Sequence, residues 1–149
     1  GTFFEIAGCY NRYHAPLSRT VFLGKPPQVF LDGEKAVLEG MEAGLEAARA
    51  GNTCEQFAGA FYAVLRKYGI IKDGRTGYGI GVSYPPDWGE RTMSLRPGDR
   101  TVLQPGMTFH FMTGLWSDVM GLEITESIAI TEGAPELLAS VPRKLFVKD

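Results

Sequence analysis

The chain has 149 residues, a formal net charge of −2, 44% apolar residues and 21% charged ones. That length fits one domain able to bury a sizeable core, and the composition excludes a disordered or fibrous chain. A slightly negative total gives no electrostatic basis for binding nucleic acid or an anionic membrane, and no apolar run reaches the roughly 20 residues that a membrane helix needs.

The chain starts strand-like over residues 2–10, where Phe3, Phe4, Ile6 and Tyr10 surround Glu5. A second strand is predicted over 17–24, and the Asn11–Pro16 link between the two is short enough for a hairpin. From 28 to 50 the period changes: Val37/Leu38, Met41, Leu45 and Ala48 recur at helical spacing, and Gly51-Asn52 closes the helix. Thr53 with Gln56 reads as a capping box that opens a second helix. Its apolar face is Phe57, Phe61, Val64, Leu65 and Tyr68, and Gly69 is a natural C′ residue. Strand patterns return at 78–84, 101–103, 107–114, 122–130 and 144–147, with Pro105-Gly106 as a turn. This order predicts an α+β fold with two helices packed on one face of a mainly antiparallel sheet. Cys9 and Cys54 have no CxxC or metal spacing and no leader pattern opens the chain, so two reduced, packed cysteines in a cytoplasmic protein are expected.

Four segments carry a resemblance: 3–21, 76–90, 103–114 and 121–131. They resemble consecutive pieces of the pita-bread family, which holds metal-dependent methionyl and proline-directed peptidases and creatinase-type hydrolases that work without metal. In the peptidases a D-x-G strand is followed eleven residues later by D-x-T-R-T. Here Pro16-Leu17-Ser18-Arg19-Thr20 matches the second motif, and Glu5 lies eleven residues before it. The G-H-G-I-G loop corresponds to Gly77–Gly81, the P-G-M strand to Pro105-Gly106-Met107 with Met112 at the Glu position, and I-E-D to Ile124-Thr125-Glu126. The resemblance therefore turns the family's five ligands into Glu5, Pro16, Tyr78, Met112 and Thr125. Proline and methionine offer a hard cation no oxygen or imidazole, so no metal and no other cofactor are expected. It also implies that residues 1–149 are the C-terminal part of a pita-bread catalytic domain, whose N-terminal domain and first part are absent from this chain.

Strand alternation sets other groups beside the emptied positions: His110 on the face of Met112, Glu123 on that of Thr125, and His14 on that of Pro16 if its strand starts early enough. Each has a plainer explanation. His110 between Phe109 and Phe111 could be a hydrogen-bonded core histidine, Glu123 an ordinary strand charge, Tyr78 a packing residue and 84–90 a rigid turn. Within the family the wording is nearest to the branch that hydrolyses cyclic amidines such as ectoine. It implies a metal-independent hydrolase in which Glu90, His110 and Glu123 are catalytic, and Glu5, His14, Tyr78, Asp87 and Trp88 bind a small cationic, ectoine-like amidine. Glu90 is expected to activate water or attack the amidine carbon, and His110, titrating near neutrality, to pass a proton to the departing nitrogen. Glu5, among apolar neighbours, is expected to be buried and to need a cationic partner. No nucleic acid or membrane partner is expected, and the intact protein should be a homodimer. A creatinase-like amidinohydrolase, an Xaa-Pro-peptidase-related protein and a non-catalytic binding module are the other readings.

Overall fold

The structure, a computed structural model, describes residues 1–149 except Pro85 and the side chain of Glu90. Strands β1 (Thr2–Tyr10) and β2 (Tyr13–Leu23) form a long antiparallel hairpin in which Glu5 pairs with Ser18 and Ala7 with Pro16. Pairing continues to Tyr10 and Tyr13, so β2 starts four residues earlier than the sequence pattern suggests. The turn is only Asn11-Arg12, both at positive φ (48° and 68°), the geometry of a tight hairpin turn matched to strand twist. On β2 the side chains of His14, Pro16, Ser18 and Thr20 are buried in alternation, which makes one face of the strand the inner one.

Helix α1 (Gln28–Ala47) buries Val37, Met41 and Leu45 on the predicted face. Helix α2 (Cys54–Lys67) starts at the predicted capping box: the Thr53 side chain accepts from the Gln56 backbone N–H and the Gln56 side chain from that of Thr53. Beyond the helices come β3 (Gly77–Ile80), β4 (Gly89–Ser94), β5 (Thr108–Phe111), β6 (Leu115–Ser117), β7 (Met120–Leu122), β8 (Glu126–Ala129), β9 (Glu136–Leu137) and β10 (Phe146–Lys148). A five-stranded sheet runs β4-β3-β5-β8-β9, β6 and β7 form a small hairpin, and β10 joins β2 in parallel. The sequence pattern missed β4, β6, β9 and all of β7 but Leu122. The segment 101–103, expected as a strand, forms one bridge, Thr53 with Val102.

The site depends on β5, a strand buried on both faces. Phe109 and Phe111 point at the helices, where Phe111 meets Phe57 at 4.7 Å and Phe61 at 5.7 Å between ring centres. His110 faces the other way, toward the hairpin. Among the ties of the hairpin to the main sheet are two points: Thr125 N–H donates to the Ser18 carbonyl at 3.1 Å, and His14 N–H to the Gly81 carbonyl at 3.0 Å. Arg19 secures the first point, donating to the carbonyls of Ser18, Thr125, Val141 and Pro142 and pairing with Glu126 at 2.6 Å.

Candidate active site

His110 is the hub. It is fully buried, with Nδ1 2.9 Å from the Tyr78 hydroxyl and Nε2 2.8 Å from the Thr125 hydroxyl. The registers of β3, β5 and β8 set this up, since Tyr78 lies directly across from His110. Trp88 Nε1–H donates to the Tyr78 oxygen at 3.0 Å, and Ser18 N–H to Thr125 Oγ1 at 2.8 Å. A Glu5 carboxylate oxygen lies 3.7 Å from Nδ1. That negative charge favours the tautomer with a proton on Nδ1, directed at Tyr78 and Glu5; Thr125 then donates to Nε2. Every ring nitrogen is satisfied, and the Tyr78 oxygen, already accepting twice, keeps its own proton to offer elsewhere.

Two carboxylates, Glu5 and Glu123, stand near enough for the charge of one to act on the other. Glu123 is buried, and burial pushes its carboxyl above the ordinary range, with the charge of Glu5 adding to the rise and Ser18 and Lys72 opposing it. Glu5 is also raised by burial, eased by Ser18. The Ser18 hydroxyl is near enough to both to ease them but closes a hydrogen bond with neither, and Glu123 Oε2 also has no hydrogen-bond partner among the described residues. The charge of Lys72 reaches Glu123; its Nζ donates to the Gly114 carbonyl at 2.8 Å and lies 4.2 Å from the Trp116 ring centre. Burial brings its pKa down to about 8, against the pull of Glu123. Two carboxylates that resist ionisation, beside orphaned acceptors, form a place where an added cation is favoured.

The expected residues fare differently. Glu5, Tyr78, His110 and Glu123 come together, and Trp88 joins through Tyr78. Asp87 is exposed, bound to Arg91 at 2.9 Å and to the Gly89 N–H, and reaches none of these groups. His14 is buried on the inner face of β2, but its Nε2 meets Cys9 Sγ at 3.5 Å at the hairpin's far end. Cys54 is packed as expected, whereas Cys9 is exposed. The side chain of Glu90 lies outside the described residues. Glu5 is not a buried core carboxylate: its side chain keeps 27% exposure at the rim. Nor does His110 titrate near neutrality, because burial pulls its pKa down to about 3, helped by the charge of Arg75; the ring is a neutral relay, not a ready acid. Ser18, Lys72 and Arg75 were missed. Ser18 lies two residues from Pro16 on one strand face, a signal that could have found it.

The donor set does not suit a pair of divalent ions. Tyr78 and Thr125 each engage a nitrogen of His110, Pro16 offers only a backbone carbonyl that accepts from Ser127 at 2.6 Å, and Met112 has a thioether. Among the described residues no three His, Cys, Asp or Glu side chains converge as metal ligands. No described helix is long and apolar enough to cross a membrane.

The chain is 64% identical over 149 residues to the ectoine hydrolase of Halomonas elongata, matching 99% of this chain and 37% of that protein. Its backbone resembles the crystal structures of a dipeptidase from Pyrococcus horikoshii (TM-score 0.88, 23% identity) and an X-Pro aminopeptidase from Thermotoga maritima (TM-score 0.87, 25% identity). Each likeness covers 98% of this chain and 40% of the other, and establishes the pita-bread fold. The chain thus spans little more than a third of the length of these relatives. The model of metallopeptidase family M24 matches residues 2–132, and the chain belongs to that family of hydrolases and peptidases.

Proposed function

We propose that this chain is the C-terminal part of a longer hydrolase that opens the ring of ectoine at a C–N bond, without a metal, to give an N-acetyl-2,4-diaminobutyrate. The observation that carries the reading is that Glu5, next to His110, and Glu123 feel each other's charge and share Ser18 as a neighbour, with Ser18 Oγ and Glu123 Oε2 unpaired among the described residues. An amidinium supplies what that group of side chains lacks: a positive charge spread over two N–H groups, able to donate to both carboxylates. Lys72, already held near a pKa of about 8, gives up its proton easily when a second cation enters beside Glu123.

The amidine carbon is electrophilic because it shares the positive charge, so attack needs a base more than a Lewis acid. Among the described carboxylates Glu5 is best placed, being partly open to solvent, raised in pKa and next to His110. It takes one proton from an attacking water, whose oxygen forms the new C–O bond to the amidine carbon. The ring C–N bond then breaks, and the departing nitrogen takes the proton that Glu5 acquired. Neutral His110 keeps the Tyr78 hydroxyl aimed at the tetrahedral carbon, where its free proton steadies developing negative charge. The exposed apolar side chains of β1, among them Phe4 (56%), Ile6 (68%) and Tyr10 (80%), support burial against a second subunit or another part of the longer protein.

The test is to assay the full-length protein with ectoine, creatine and an Xaa-Pro dipeptide, each with and without chelator. Chelator-resistant turnover of ectoine alone supports the proposal. Creatine as the preferred substrate would redirect it to another amidinohydrolase, and chelator-sensitive peptide cleavage would refute it. Glu5→Gln and Glu90→Gln, assayed side by side, decide which carboxylate leads.

A further inference from the structure

A hollow of about 350 Å³ lies on the outer side of Tyr78, lined by Arg75, Tyr78, Asp87, Trp88 and Arg91. It adjoins the catalytic hub, because two of its walls, Tyr78 and Trp88, are bonded to each other and Tyr78 to His110. Its charges are not equivalent. Arg91 and Asp87 neutralise one another at 2.9 Å, and Asp87 also holds the Gly89 N–H. Arg75 makes no ion pair with any described residue; its guanidinium carbon lies 4.4 Å from the centre of the Tyr78 ring. Its charge is felt at the hub, opposing protonation of His110 and favouring ionisation of Tyr78. The site therefore has two ends of opposite sign on either side of one phenol: the carboxylates Glu5 and Glu123 beyond the hydroxyl, and Arg75 over the ring face. Lys72 does not compete for an anion, since its ammonium is committed to Gly114, Trp116 and Glu123.

We propose that Arg75 is a specificity-determining residue that binds the carboxylate of the substrate in the hollow beside Tyr78, and so selects zwitterionic amidines over purely cationic ones. This rests on the amidine-hydrolase reading. A guanidinium suits the task because its planar fork matches a carboxylate and keeps its charge at every working pH. Stacked on Tyr78, it is also pre-positioned and loses little freedom on binding.

The experiment compares ectoine with its carboxamide, which keeps the amidinium but lacks the negative charge, in the full-length wild type, Arg75→Gln and Arg75→Lys. Steady-state kinetics and calorimetric titration are both read. Losing one charge-assisted pair should raise KM and Kd for ectoine roughly 10- to 100-fold in Arg75→Gln, with kcat within about threefold. The carboxamide should bind wild type and variant alike, and Arg75→Lys should recover part of the preference for the acid. Equal losses for both substrates in Arg75→Gln, or an undiminished preference for the acid, would overturn the assignment while leaving the hydrolase reading intact. A wild type that neither binds nor opens ectoine would overturn both.

Discussion

The substitution Arg19→Met tests how the active site is held. Arg19 is buried, donates to four backbone carbonyls from three separate segments and forms a 2.6 Å ion pair with Glu126, itself 1% exposed. The methionine side chain fills much of the space but leaves the carboxylate unpaired, and breaking a buried pair from one side costs about 3–5 kcal/mol. With a urea m value of about 2 kcal/mol/M, the unfolding midpoint of the 149-residue chain should fall by about 1.5–2.5 M. The effect has a predictable pH dependence. Burial already raises the Glu126 carboxyl above its ordinary value, against the opposing charges of Arg19 and Arg143, and losing Arg19 raises it further. A group raised on folding contributes stability below its unfolded pKa and loses it as pH climbs through the folded one. The deficit of the Arg19→Met variant is therefore largest at neutral pH and shrinks toward about pH 4, the ordinary range of a glutamate. Adding Glu126→Gln removes the stranded charge and should recover about 1–2 kcal/mol at neutral pH. Activity of the full-length protein should fall as well, because Arg19 fixes the carbonyls of Ser18 and Thr125, two residues that bracket His110. A loss below about 1 kcal/mol, or one that ignores pH, would refute the reasoning.

Three further outcomes are expected. Tyr78→Phe removes the oxygen that joins Trp88 to His110, leaving one buried and one half-buried donor short of an acceptor at a cost of about 1–3 kcal/mol; kcat should drop at least about tenfold while the circular dichroism spectrum is kept, and unchanged kcat would exclude the hydroxyl from the reaction. Because Glu5 and Glu123 are both raised, kcat/KM should decline on the acid side through a pKa above the ordinary carboxylate range, and Glu123→Gln should move that limb; a limb at an ordinary carboxylate value would contradict the burial and mutual influence of the two carboxylates. Dialysis of the full-length protein against chelator should leave turnover unchanged and elemental analysis should find no stoichiometric metal; a site loaded with Mn, Co or Zn would contradict the donor chemistry of Pro16, Met112 and Thr125.

Local rules were legible because they act over a few residues. The Thr53 and Gln56 capping box, the Gly69 terminus at positive φ, and the apolar faces of both helices follow from spacing alone. That His110 faces the site followed from alternation with Met112 at a ligand position of the family, whereas the packing of Phe111 against the aromatic rings of α2 came only with the structure. The short strands β4, β6 and β9 were not legible, since their few residues carry no period and their pairing partners lie elsewhere in the chain. The family positions told which ligands were lost, but not what had taken their place. Lys72 and Arg75 come from the loop after α2, where no pattern marks a side chain as inward, and only the packed fold shows one beside Glu123 and the other over Tyr78. Protonation was decided by tertiary structure too. A histidine that would titrate near neutrality in water is held neutral, and a glutamate expected in the core stands at the rim, because desolvation depends on what surrounds a group and not on its neighbours in sequence.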